Sequence, residues 1–138
     1  VRVRSMQQVT HELRKQGTSS AAQAYARAAT LSASPRDIEA QTLLKAANKL
    51  QDAVNGADPF SERTRDALLF NRKLWTIFVS EALRDENPQP REVRENIANI
   101  GIFVLSQCTA LQAVPRLDQF KSLIDINRNI AAGLGGRA

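Results

Sequence analysis

Prolines, glycines and capping residues cut this chain into pieces of helical length, and between the cuts apolar residues recur every three to four positions. No stretch sustains an alternation of period two, so strands are not expected. Ser34-Pro35-Arg36-Asp37 gives a cap, a proline suited to the first helical turn and an acid near the positive end of the helix dipole. A helix therefore starts there. Ile38, Leu43, Leu44, Ala47, Leu50 and Val54 form its apolar set, Lys45, Lys49 and Asp52 its polar face, and Asn55-Gly56 its stop.

Asp58-Pro59 opens a turn, and Ser61 caps a helix whose apolar set is Ala67, Leu68, Leu74, Trp75, Phe78, Val79 and Leu83, widened by Leu69, Phe70 and Ile77. An apolar surface of that breadth belongs to a central helix or to one that faces a partner. Asn87-Pro88-Gln89-Pro90 ends the segment, and Pro90 fits the first turn of the next. There Val93, Ile97, Ile100, Val104, Cys108 and Leu111 keep helical spacing around Gly101, whose cost of ~1 kcal/mol relative to alanine implies a close helix-to-helix approach. Pro115 marks another boundary. A last helix is expected from about Arg116 to Ala132, with Leu117, Phe120, Leu123, Ile124, Ile130 and Leu134 inward, unwinding at Gly133-Leu134-Gly135-Gly136.

Before Ser34 the residues 20–31 are dominated by alanine, with Ser19 or Ser20 as cap and Tyr25 as the one anchor. Residues 5–15 suit a short helix, but Gly17-Thr18-Ser19-Ser20 separates it from the rest. The fold expected is all-α: a small antiparallel bundle of four to five helices over residues 21–138, preceded by a basic, flexible extension over residues 1–20.

A length of 138 residues suits one domain with a substantial core. Cys108 is the only cysteine, flanked by apolar residues, and reads as a small hydrophobe in a reducing compartment. No apolar run approaches the ~20 residues that span a bilayer, and no signal-peptide pattern follows Arg2 and Arg4. A cytoplasmic location is the expectation. The net charge of +5 and a pI near 10.0 raise the question of nucleic acid. Residues 1–20 hold four basic groups against one acid, so the remaining fifteen and thirteen leave the body nearly neutral. It also lacks basic residues interleaved with stacking aromatics.

Catalysis finds little support. The single histidine, His11, lies in the extension, whereas a catalytic pair needs rigid support. One Cys and one His do not make a zinc site, Asp85 and Glu86 read as solvated charge at a helix end, and no phosphate-binding glycine loop precedes a helix. No enzyme, cofactor or metal is expected. Two Asn-Arg pairs on apolar helices, Asn71-Arg72 and Asn127-Arg128, allow two readings: asparagines bonded between helices with arginines snorkelling outward, or a rim that meets a partner. Trp75 is open in the same way, as core or as a binding hot spot.

Three stretches, Ala67-Leu68-Leu69-Phe70-Asn71-Arg72-Lys73-Leu74-Trp75-Thr76-Ile77-Phe78, Asn87-Pro88-Gln89-Pro90-Arg91-Glu92-Val93-Arg94-Glu95-Asn96-Ile97 and Leu123-Ile124-Asp125-Ile126-Asn127-Arg128-Asn129-Ile130-Ala131-Ala132-Gly133-Leu134, resemble the FlaF family. So do Ala24-Tyr25-Ala26-Arg27-Ala28-Ala29 and Ser34-Pro35-Arg36-Asp37-Ile38-Glu39. The likeness runs from about Ala21 to Leu134, while residues 1–20 lie outside the family pattern. It implies a flagellar biosynthesis regulator of alphaproteobacteria, a cytoplasmic factor that binds flagellin as an export chaperone and is linked in function to the translational regulator FlbT. Joined to the apolar patterning, this places a flagellin helix in a groove formed by Leu74, Trp75 and Phe78 with Phe103 opposite, and Asn71 and Arg72 at the rim. The alternative is a post-transcriptional regulator that reaches flagellin messenger RNA or a FlbT-type repressor, with residues 1–20 as an electrostatic arm.

Overall fold

The computed structural model describes residues 34–135, with Ala21 as a single position before them. The expected helices before Ser34, Tyr25 and the basic extension fall outside the described residues. Within them four helices follow in order: α1 (Pro35–Asn55), α2 (Glu62–Ala82), α3 (Arg91–Ala113) and α4 (Leu117–Leu134). No strand occurs among the described residues.

Local chemistry sets most of the boundaries. Ser34 Oγ accepts from the Asp37 backbone N–H at 3.2 Å and Asp37 Oδ2 accepts from the Ser34 N–H at 3.3 Å, a reciprocal capping box with Pro35 at the first helical position. Asp58 Oδ1 accepts from the Phe60 N–H, and Ser61 Oγ from the Thr64 N–H, so the turn and the start of α2 are fixed together. Pro90 stands one position earlier than expected, as the N-cap of α3.

Two helix ends differ from the sequence expectation. α2 stops at Ala82, which leaves Leu83 65% exposed outside the apolar stripe. The physical reason is a side-chain cap: Asn87 Nδ2 donates to the Glu81 carbonyl at 2.8 Å, and Arg94 reaches back from α3 to donate to the Arg84 carbonyl at 2.9 Å. The glycines at the end of α4 do not unwind it at 133; the helix passes through Gly133 to Leu134, and the Gly135 N–H still bonds to the Ala131 carbonyl at 3.0 Å.

Short connections, residues 56–61, 83–90 and 114–116, force an up-down-up-down bundle. α1 packs most extensively on α4 and α2 on α3, α1 also meets α2, and α3 meets α4 only lightly. The core unites Leu43, Leu50, Leu68, Leu74, Trp75, Val104, Leu111, Leu123 and Ile124 with a series of alanines, among them Ala46, Ala47 and Ala67, whose small side chains let the helices draw near. Several residues expected inward lie outside it. Leu44 falls about 100° around the helix from Leu43, while Val93 and Leu117 occupy first turns at the ends of the bundle, and all three are exposed. Lys45 and Lys49, expected on the polar face, extend over the Phe70 ring at 5.7 and 5.2 Å and shield it from α1.

Gly101 marks the tightest approach. A methyl group there would collide with Val79 Cγ2 and stand 3.3 Å from Trp75 Cε3. Valine has one strongly preferred rotamer in a helix and cannot swing clear. Gly101→Ala should therefore lower stability despite its gain of about 1 kcal/mol in helix propensity, because overpacking costs about 1–3 kcal/mol. Adding Val79→Ala should relieve the collision. Urea denaturation checks both, and a Gly101→Ala protein as stable as wild type would contradict the close approach.

Candidate functional site

At the centre of the bundle four side chains from three helices form a buried polar ladder. The Trp75 indole N–H donates to Asn127 Oδ1 at 2.8 Å, Asn127 Nδ2 donates to Asn71 Oδ1 at 2.7 Å, and Asn71 Nδ2 donates to Cys108 Sγ at 3.5 Å. None of the four is exposed. The ladder decides between the two readings of the asparagines: they bond between helices, while Arg72 and Arg128 point to solvent. Helical spacing explains the meeting, since Asn71 and Trp75 lie one turn apart on one face of α2 and both reach the same Asn127.

Above this ladder lies a half-open pocket of about 470 Å³ at one end of the bundle. The starts of α1 and α3 and the ends of α2 and α4 surround it, with the 83–90 connection as its lip. Phe78, Ile97, Ile130 and Leu134 give it an apolar lining over the fully buried Trp75 at its base, and Trp75 and Phe78 meet edge to face with centroids 5.2 Å apart. Its size falls in the ~300–1,000 Å³ range of ligand-binding clefts. Charged groups stand around it: Arg36 and Glu39 from α1, Glu81 from α2, Arg84 from the connection and Arg94 from α3.

These charges are unequally satisfied. Arg84 bridges Glu81 at 3.2 Å and Glu86 at 3.3 Å. Among the described residues Glu39 has no such partner. Burial pushes its carboxyl above the usual carboxylate range, Arg36 opposes that shift and Glu81 adds to it. On the opposite wall the buried Arg94 Nε also lacks an acceptor.

The residues expected to bind a partner therefore separate. Asn71, Leu74 and Trp75 are core, with no exposed surface, so they do not line an open groove between helices. Phe78 is half-buried at the end pocket, and Arg72 is exposed. Phe103, 48% exposed, does not stand opposite Trp75: Gly101 faces the tryptophan, and two residues further along a helix is a rotation of about 200°. Sequence reasoning missed Glu39, Val93 and Arg94 as a group, because no spacing along the chain shows that the ends of four helices converge. Asp85 and Glu86 are exposed, as expected of solvated charge.

Among the described residues no group of His, Cys, Asp and Glu has the arrangement of a metal site, and no helix is long and apolar enough to cross a membrane. Burial also pushes the Cys108 thiol above its ordinary range, outweighing Asn71 and Arg72, which favour the thiolate.

Two outcomes test this geometry. Asn127→Ala would strip the acceptor from the Trp75 indole and the donor from Asn71, each a buried group left unpaired at about 1–3 kcal/mol. A loss of roughly 2–5 kcal/mol by urea denaturation is expected, and a loss below 1 kcal/mol would show that the ladder is not held. Glu39→Gln tests the other feature. A carboxyl with a raised folded-state value contributes stability when protonated, and that stability is lost as pH rises through the raised value. The substitution should therefore raise the melting temperature at pH 7 and remove the difference at acid pH, measured by thermal denaturation at both.

The chain matches the family described as "Flagellar protein FlaF" over residues 21–134. No curated protein and no solved structure matches it. A family match over most of the chain, on a four-helix body that contains four of the five motifs of the resemblance, settles the assignment: the chain belongs to the FlaF family of flagellar proteins.

Proposed function

We propose that this protein binds flagellin in the cytoplasm as a secretion chaperone and assembly factor, and in doing so supports flagellin production and export. The observation that carries the reading is the apolar end pocket in a chain of a flagellar family. A client that polymerises through amphipathic terminal helices needs those faces masked before export, and an apolar cleft between helix ends is a suitable mask. Phe78 is the sequence-selected residue that contributes contact surface there; Leu74, Trp75 and Asn71 support the pocket from behind. Arg72 and Phe103, on the outer surface, would extend the contact only for a client that continues along the bundle.

Moderate affinity is expected. Ordering a disordered segment offsets part of the contact free energy, which suits a factor that must release its client. The test is co-purification of the tagged full-length protein with mass identification of its partner, in low and high salt. Flagellin is expected in both. Val93, exposed at the pocket wall, provides a variant that spares the core: Val93→Asp should reduce flagellin capture about tenfold or more with an unchanged melting temperature. Recovery of RNA or of a FlbT-type protein in place of flagellin would replace this reading with post-transcriptional regulation.

A further inference from the structure

The end pocket is chemically two-sided, and its unmet groups describe what it takes. On the α1 wall stands Glu39, partly desolvated, without a hydrogen bond or ion pair among the described residues, and with the Glu81 carboxylate in its field. On the α3 wall the Arg94 guanidinium has its Nη1 bound to the Arg84 carbonyl at 2.9 Å and its Nε buried without an acceptor. Between them lie Phe78, Ile97 and Ile130. An occupant of uniform charge would meet one of these walls unfavourably, and a purely apolar one would seal Glu39 from water unpaired and leave the already buried Arg94 Nε without an acceptor, which is costly.

We propose that the pocket receives an amphipathic peptide helix that inserts an apolar cluster, sets a lysine or arginine against Glu39 and offers a carboxylate or a free helix-end carbonyl to Arg94. The inference rests on the flagellin reading above and deepens it by fixing the polarity with which the client segment lies in the site. Arg84 takes no part, since Glu81 and Glu86 already neutralise it. Arg36 moderates Glu39 without bonding to it and leaves the carboxylate available. The arrangement favours orientation and partner choice, because like-charge placement at either wall is repelled.

The pocket also acquires a pH dependence on its basic-residue side. Glu39 must be ionised to hold the cation, and its carboxyl titrates above the ordinary range, so binding should weaken on mild acidification before ordinary carboxylates protonate. The groups around it are Arg36 on its own helix, Glu81 on α2, Arg84 on the connection and Arg94 on α3. The Glu81 carboxylate opposes Glu39 ionisation and Arg36 favours it.

The experiment uses the full-length protein and purified flagellin, with affinity read by titration at pH 7.5 and at pH 5.5. Glu39→Gln keeps shape and should not disturb folding; it should weaken binding about tenfold and abolish the fall in affinity at the lower pH. Arg94→Lys, which keeps charge but cannot present Nε, should weaken binding by a smaller factor of about three to ten. A photoreactive residue at Val93 should cross-link to a flagellin segment that contains a basic residue beside an apolar cluster. If wild-type flagellin binding is absent, the chaperone reading falls and this inference with it. If flagellin binds but Glu39→Gln and Arg94→Lys bind as wild type, the proposed polarity is wrong while the chaperone reading survives. A cross-link from Val93 to this chain's own residues before Ser34, or to a second copy, would assign the pocket to that occupant and overturn the proposal.

Discussion

One hydrogen-bonded ladder sets the register of the whole bundle. Alanines and leucines pack in many nearly equivalent ways, and a core built only from them tolerates slippage of one helix against another. The Trp75 indole, the two asparagine amides and the Cys108 thiol accept far fewer arrangements, because a shift of one turn would leave several buried polar groups without partners. The ladder joins residues 52 and 56 positions apart and so links α2 to α4, which lie across the bundle from one another. With that crossing fixed, α1 fits between them and α3 closes on Gly101.

The end pocket follows from the same constraint. Trp75 is held by its ring nitrogen, so its ring edge and that of Phe78 are stationary beneath the opening. The helix ends around them stop short of closing it, because Asn87 and Arg94 tie up the terminal carbonyls of α2 and its connection and hold the 83–90 lip outward. An apolar lining on a rigid base, with charged groups at its margin, is suited to recognition without rearrangement of the protein.

The sequence was most legible where short-range chemistry decides the outcome. Ser34, Pro35 and Asp37 announced α1, Ser61 announced α2, and Gly101 announced a close approach, each through interactions within a turn or with one facing helix. Legibility declined where neighbours distant in sequence compete. Leu83 carried the apolar period onward, but an asparagine four residues later capped the helix before it. Trp75, Leu74 and Asn71 had two possible roles until the placement of α4 decided for the core, and Phe103 was set opposite Trp75 although its rotation from Gly101 turns it away. The pocket was invisible in the pattern because it is made of helix ends, whose convergence depends on the lengths of all four helices at once.

The extensive pairing of α1 with α4 has a consequence for synthesis on the ribosome. These are the first and last of the four helices, so the earlier three can assemble only a partial core while α4 is still within the exit tunnel. Until Asn127 emerges, the Trp75 indole N–H and the Asn71 side-chain oxygen have no fixed partner there, and the interior stays accessible to water. Emergence of α4 is then the event that dries the core and shapes the pocket above it.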